Sequence, residues 1–310
     1  MANWMNHFHL EKNKHAAIYF LAGTSLFYGL LIVVQKMGLN TGINPISFSF
    51  FRSIMVVGIS VIYYFSELKK LKYLNMDGIT SLLILGTVSA VSIILLFIAQ
   101  DSIPATNAGF LIRLTPLFVL PLAYILLKEK SSKKSILFML TMLAGAYLLI
   151  TSGTMIVPCS GVMLVVVVAL MIAFQNVYAK KIMRFISAET VIFYRVLLSS
   201  LLVVIFVPVA WGVQSTPVTF DIILYSLITA VLYFLSVLCQ YSAIKLIGPF
   251  LTSTFFLSGS LLSALFAYLL LGETLSIIQW VGAGGILLGG FLTIREVNKS
   301  DLKMPPDKTQ

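Results

Sequence analysis

The heptapeptide AYILLKE at residues 123–129 is similar to AYLLLGE at residues 267–273, which lies 144 positions later. At nearly the same offset, the sequence FFR at residues 50–52 matches FYR at residues 193–195. Several matches in the same order and at nearly one offset are not expected by chance, even in an apolar sequence. The chain is therefore predicted to contain two copies of one structural unit.

The composition of the chain is that of a membrane protein. Of its 310 residues, 59% are hydrophobic and 10% are charged, and the mean hydropathy is +1.00, whereas a soluble protein is about 25% charged. Ten apolar runs are long enough to cross a hydrocarbon core of about 30 Å. These predicted spans cover residues 16–37, 45–65, 78–99, 105–127, 135–151, 161–179, 189–211, 222–243, 248–271 and 276–294. We therefore expect an all-α membrane protein of ten transmembrane helices.

Each predicted copy contains five spans, the first within residues 16–151 and the second within residues 161–294. Because five is odd, the second copy enters the membrane upside down relative to the first, and inverted repeats are predicted. Residues 1–15 form a cytoplasmic tail, and residues 295–310 form a disordered cytoplasmic tail. Transporters with inverted repeats bind substrate near the bilayer midplane, between the two halves.

The basic residues are concentrated on one side of the predicted membrane. With the N-terminus placed inside, 17 of the 21 lysines and arginines fall in inside segments, and Lys36 alone falls outside. The other three, Arg52, Arg113 and Arg195, lie within spans. This bias predicts that both termini are cytoplasmic. The net charge of +10 therefore reflects topology, and it indicates anionic lipid headgroups on the cytoplasmic side, not nucleic acid, as the partner.

Taken together, these features carry a resemblance to a known family. The chain resembles the drug/metabolite transporter superfamily, specifically its EamA-type members. The resemblance lies in ten spans in two halves, in a Phe-aromatic-Arg sequence early in the second helix of each half, and in leucine-rich runs that end at Glu129 and Glu273. The resemblance covers residues 16–296. It implies a multi-pass carrier in the plasma (cell inner) membrane, often an exporter, of amino acids or other small metabolites. Many relatives carry a Trp where this chain has Tyr28 and Phe174, so no ligand preference tied to that Trp is carried over.

Arg113 is the charge that lies deepest in a predicted span. It falls about eight residues inside the fourth span, which is roughly 12 Å at 1.5 Å per residue. All eleven carboxylates fall in tails, loops or span ends, so no acid is available at this depth. An arginine stays protonated in a protein, and its planar fork suits carboxylate or phosphate. Its partner is either protein oxygen, such as the carbonyls freed by Pro116 and Pro121, or an anionic group of a substrate.

Other polar residues in corresponding helices of the two halves extend this candidate site. The predicted substrate-binding residues are Arg113, Gln175, Asn176, Tyr28, Asn107 and Tyr178. Gating or structural roles are assigned to Arg52, Arg195, Glu129 and Glu273. Two cysteines are too few for a disulfide framework or a metal site, and all three histidines precede the first span. No metal or cofactor is predicted.

The favoured function is a secondary transporter, with outward direction, for a small anionic or zwitterionic metabolite such as an amino acid. An alternative is a multidrug exporter of lipophilic cations, but that chemistry usually needs a carboxylate deep in the membrane. An intramembrane enzyme is a weaker alternative, because hydrolysis needs a nucleophile with a base or clustered metal ligands. A scaffold that transports nothing also stays open.

Overall fold

The structure, a computed structural model, describes residues 2–63, 65, 75–100, 111–155, 159–211, 219–272 and 274–299, with side chains except at residues 2–14, 97, 100 and 296–299. Every regular element in these ranges is helical. The α-helices are α1 (Ala2–Leu39), α2 (Pro45–Tyr63), α3 (Met76–Gln100), α4 (Thr115–Leu127), α5 (Lys133–Thr151), α6 (Ser160–Ile182), α7 (Ala188–Trp211), α8 (Phe220–Ile247), α9 (Pro249–Phe255), α10 (Gly259–Leu271) and α11 (Ile277–Lys299). A 3₁₀ turn, Phe256–Ser258, joins α9 to α10.

The helices cover most of the predicted spans, but α1 begins at Ala2, within the predicted N-terminal tail, and the last helix extends into the predicted C-terminal tail. In the described part of the chain, nine helical segments are long and apolar enough to cross a membrane, including His15–Leu39 of α1 and the combined segment Pro249–Leu271. The fourth predicted span contains the shorter α4, of 13 residues, and residues 105–110 of that span lie outside the described residues. The last helix reaches Lys299, and the rest of the predicted tail, residues 300–310, also lies outside them.

One prediction about the fourth span is wrong, because Arg113 does not lie inside a continuous helix. Arg113 and Leu114 form a turn, and α4 begins at Thr115. Pro116 lacks the N–H that would donate to the carbonyl of Ile112. The hydroxyl of Thr115 donates to that carbonyl instead, at 2.6 Å. The chain therefore turns at Arg113 with this carbonyl satisfied.

The second half has a helix break at the equivalent place. An offset of 144 relates Arg113 to Leu257, which lies in the 3₁₀ turn between α9 and α10. In this turn the hydroxyl of Ser258 donates to the carbonyl of Phe255 at 2.7 Å, so a side chain supports the irregular backbone. Both halves thus interrupt their fourth helix at matching positions.

The helix contacts also repeat between the two halves. Helix α1 packs against α8, as α6 packs against α3. Helix α4 packs against α6, as α10 packs against α1, and the contact of α3 with α7 matches that of α8 with α2. The remaining extensive contacts, α2 with α7 and α5 with α11, each join a helix to its own counterpart. This pattern is the one expected of two similar halves.

Glycines allow the last helices of the two halves to touch backbone to backbone. A Cβ atom placed on Gly145 of α5 would lie 2.6 Å from the carbonyl oxygen of Gly282 in α11. A Cβ atom on Gly282 would lie 2.5 Å from the carbonyl oxygen of Gly145. Small residues permit such close approach where lipid supplies no hydrophobic driving force between helices. The crossing of α5 and α11 therefore depends on both glycines.

Candidate functional site

Three arginines lie within the helix bundle. Arg52 and Arg195 are each 8% exposed, and Arg113 is 3% exposed. In a bilayer such charges are costly and normally face a bundle interior or an aqueous cavity. Their surroundings therefore define the candidate site.

Arg113 contacts the helix break of the other half. Its Nη1 donates to the carbonyl oxygen of Phe256 at 2.9 Å. Its guanidinium also lies over two aromatic rings, 5.0 Å from the centroid of Tyr28 and 4.8 Å from that of Phe256. These two rings contact each other, with centroids 4.4 Å apart. Cation–π contact lowers the cost of burying a guanidinium, but it leaves most of the N–H donors of Arg113 without an acceptor among the described residues.

Helix α1 is attached to the same helix break. The hydroxyls of Ser25 and Ser258 are 2.7 Å apart and share a hydrogen bond. Ser25 precedes Tyr28 by about one helical turn, so one face of α1 carries both contacts. The breaks of the two halves and α1 thereby meet around Arg113.

Gln175 takes part in a second polar cluster. Its Oε1 accepts hydrogen bonds from the hydroxyl of Ser89 at 2.8 Å and from Nη2 of Arg195 at 3.0 Å. Its Nε2 donates to the hydroxyl of Ser92 at 3.1 Å. The structure thus joins Gln175, a predicted substrate-binding residue, to α3 and to an arginine that was assigned a gating or structural role. The serines were not singled out from the sequence, because hydroxyls are frequent in every span.

Arg195 has further unused donors. Its guanidinium lies 4.8 Å from the centroid of the Tyr241 ring. Its Nε and Nη1, and the hydroxyl of Tyr241, have no hydrogen-bond partner among the described residues although all three atoms are buried. Buried polar groups are nearly always hydrogen-bonded, so such exceptions require an explanation.

Arg52 connects the two clusters through tyrosines. Its Nη1 donates to Oε1 of Gln35 at 3.3 Å, and its guanidinium lies 5.4 Å from the centroid of the Tyr233 ring. Tyr233 also forms a side-chain hydrogen bond with Arg195, and Tyr28 and Tyr233 pack against the same apolar cluster. The three guanidiniums are therefore connected through Tyr28 and Tyr233. We refer to Arg113, Arg52, Arg195, Tyr28 and Tyr233 as the arginine chain.

The other predicted site residues are distributed around this centre. Asn176 is 2% exposed and follows Gln175 in α6. The Tyr178 hydroxyl donates to the hydroxyl of Ser81 at 3.3 Å, and its ring stacks on Phe174 at 5.1 Å between centroids. The structure thus places Tyr178 against α3. Asn107 and Glu273 lie outside the described residues.

Glu129 lies at the end of the bundle where α4, α6 and α8 all terminate. A Cβ atom on Gly248, which has a φ of +85°, would lie 3.0 Å from Oε2 of Glu129. Lys180 near the end of α6 donates from Nζ to the carbonyl oxygen of Lys245 near the end of α8. Burial raises the pKa of the Glu129 carboxyl above its usual 4.5, while Lys180 and Arg184 act in the opposite direction. The junction of α8 with α9 is thus packed against a partly buried acid.

This raised pKa predicts a pH dependence of stability. A carboxyl whose pKa is higher in the folded state binds its proton more tightly there than in the unfolded chain. Its contribution to stability is present below pH 4.5 and is lost as the pH rises through the raised pKa. We expect the thermal stability of Glu129→Gln, relative to the parent, to increase with pH across this window. Melting curves in detergent between about pH 4 and pH 8 test this, and a constant difference between the two proteins would contradict it.

Comparison with known proteins confirms the resemblance inferred from the repeat. The sequence matches the EamA-like transporter family over residues 15–151 and 159–295, one match in each half. An uncharacterized transporter from Methanothermobacter thermautotrophicus (strain ATCC 29096 / DSM 1053 / JCM 10044 / NBRC 100330 / Delta H) is 28% identical over 220 residues, which is 68% of this chain. The chain matches 63% of that relative's length.

A solved crystal structure, described only as that of a protein, has a similar fold. The TM-score is 0.75, and the match covers 94% of this chain and 99% of the other. At 14% identity this likeness shows the fold alone. The family match extends over both halves, and its two segments coincide with the two halves that share helix contacts. This multi-pass membrane protein therefore belongs to the EamA-like transporter family.

Proposed function

We propose that the protein is a secondary carrier, and not an enzyme, that moves a small anionic or zwitterionic metabolite such as an amino acid outward across the plasma membrane. Transport proceeds by alternating access between two inverted repeats. Family membership supports a transporter, and the matching helix contacts support movement of one half against the other. Discontinuous helices that face each other near the middle of a bundle are where many carriers bind substrate.

The observation that carries this proposal is the position of Arg113. It lies in the helix break of one half and donates to the helix break of the other half, with no ion pair to a described residue. An uncompensated buried charge is costly. An anionic substrate offsets this cost only while it is bound, which suits a group that must bind and release on each cycle.

The chemistry of binding follows from the donor set of Arg113. A guanidinium has five N–H donors, and Nη1 provides the one that Phe256 accepts. The remaining donors suit two parallel hydrogen bonds to a carboxylate or a phosphate. Because Arg113 and Phe256 belong to different halves, a substrate held here contacts both sides of the interface. Occupancy of the site is then coupled to the relative position of the halves.

The orientation and surroundings of the carrier complete the proposal. Both termini lie in the cytoplasm, as the distribution of lysines and arginines predicts. Anionic lipid headgroups contact the basic inside segments. The transported substrate is a small molecule.

A ligand screen with a matched variant tests the proposal. The purified parent and Arg113→Gln are melted in mild detergent with amino acids, organic acids, phosphorylated metabolites, nucleosides and lipophilic cations. A ligand at 100 times its Kd stabilises the folded protein by about 2.7 kcal/mol. We expect an anion or a zwitterion to raise the Tm of the parent and not that of the variant. Stabilisation of both proteins by lipophilic cations alone would instead support the multidrug alternative and overturn the proposal.

A further inference from the structure

The donors of Arg195 that lack partners point to a second contact for a ligand. Arg195 is more than nine-tenths buried, and its Nε and Nη1 have no acceptor among the described residues. Tyr233 forms a side-chain hydrogen bond with Arg195, but these two nitrogens stay without a partner. Gln175 and Tyr241 do not offer an acceptor to them either. Oε1 of Gln175 already accepts from Ser89 and from Nη2 of Arg195. Tyr241 presents the face of its ring, and its hydroxyl is itself without a partner.

Arg195 is connected to Arg113 through the arginine chain. The Tyr28 ring faces Arg113 and the Tyr233 ring faces Arg52. Both rings pack against the same apolar cluster, and Tyr233 also forms a side-chain hydrogen bond with Arg195. Arg113 is contributed by the first half and Arg195 by the second. The centre of the bundle therefore carries three permanent positive charges, while every carboxylate of the sequence falls in a tail, a loop or a span end.

This charge imbalance is informative about the substrate. A zwitterion would bring an ammonium group that needs a carboxylate, free carbonyls or an open aromatic face. The four rings that contact the arginines already face guanidiniums: Tyr28 and Phe256 face Arg113, Tyr233 faces Arg52, and Tyr241 faces Arg195. A second negative charge on the substrate, in contrast, would meet donors that lack acceptors.

We propose that Arg195 is a second anion-binding residue of the carrier, and that the substrate is a dianion, either a dicarboxylate or a phosphate monoester. This proposal rests on the proposed function and deepens it. Arg113 and Arg195 come from different halves, so a dianion that contacts both holds the halves together in the loaded state. Gln175 is a positioning residue, because its Oε1 orients the Arg195 fork through Nη2.

Matched pairs of probes test the charge requirement. Succinate is compared with its monoamide succinamate, and glycerol 3-phosphate with its methyl diester, each binding to the purified protein in a phosphate-free buffer. We expect at least one dianion to bind about ten- to a hundredfold more tightly than its singly charged partner, the range for one buried charged hydrogen-bonding group. The pair that shows the preference identifies the carboxylate or the phosphate class.

Variants then assign the preference to Arg195. In Arg195→Gln the preference for the dianion falls to about one, whereas Arg295→Gln, which changes an exposed arginine at the end of α11, leaves it unchanged. Gln175→Glu keeps the size of the side chain and supplies Arg195 with an internal carboxylate. We expect this variant to lose the preference as well, without a loss of thermal stability.

The possible results distinguish a failure of the second anion contact at Arg195 from a failure of the proposed transport function. If Arg195→Gln lowers the Tm but keeps the preference, Arg195 is structural and the second contact is wrong. If a monoanion or a zwitterion binds as tightly as any dianion and needs Arg113, the proposed function holds and this inference fails. If no anion binds in a way that depends on Arg113, both fail.

Discussion

Replacing Gly282 by alanine destabilises the protein, whereas replacing Gly284 on the same helix does not. The added methyl group at Gly282 meets the carbonyl oxygen of Gly145 at 2.5 Å and the backbone nitrogen of Leu149 at 2.6 Å. Neither atom is the end of a flexible side chain, so α5 and α11 must separate. Overpacking of this kind costs about 1–3 kcal/mol, and separation also loses the close contact between the two halves.

Gly284 provides the matched control. Nothing lies within 4 Å of a Cβ atom placed there. Alanine is a better helix former than glycine by roughly 0.5–1 kcal/mol, so Gly284→Ala is neutral or stabilising. Melting temperatures of the two variants in the same detergent check the prediction. Equal melting temperatures would show that α5 and α11 tolerate separation and that the close crossing is not needed.

Replacing Arg113 by methionine raises the melting temperature of the ligand-free protein and abolishes its response to anions. Methionine fills a similar elongated space without a charge. Exchanging buried charges for apolar residues of similar volume is often neutral or stabilising by about 1–4 kcal/mol. The carbonyl of Phe256 is not left without a partner, because it also accepts from the backbone N–H of Gly259. The rings of Tyr28 and Phe256 can pack against the thioether.

The sign of this change separates the two roles of Arg113. A residue kept for structure leaves the protein less stable when it is removed. A residue kept for substrate leaves the empty protein more stable and unable to bind. Melting curves of Arg113→Met with and without the best ligand of the parent therefore decide between them. A lower melting temperature without ligand, combined with an intact ligand response, would contradict the role in binding.

The sequence identified Arg113 as unusual but placed it in the wrong local structure. Its depth and the lack of a nearby acid follow from hydropathy and from the positions of the carboxylates. The turn at Arg113 does not, because a proline in a transmembrane run can kink a helix or end it. Here the Thr115 hydroxyl donates to the carbonyl of Ile112, which Pro116 leaves without a backbone donor, and a new helix, α4, begins after the turn.

The sequence pointed to Tyr28 and Gln175 but not to the other partners of the arginines. Phe256, Tyr233, Tyr241 and Gln35 look like ordinary members of apolar spans, yet they contact Arg113, Arg52 and Arg195. In a soluble helix the polar face shows which side is exposed. In a membrane helix both the lipid-facing side and the core-facing side are apolar, so the rotation of each helix about its axis is hidden.

The sequence by itself determined that the chain is a membrane protein, where its helices lie and that it consists of two related halves. Those properties depend on the transfer of whole segments from water to lipid and on repeats that can be counted along the chain. Only the tertiary structure decided which side chains meet: Arg113 with the opposite helix break, Gln175 with Arg195, and Gly145 with Gly282. These contacts depend on the rotation and close approach of helices, and segment hydropathy carries no information about either.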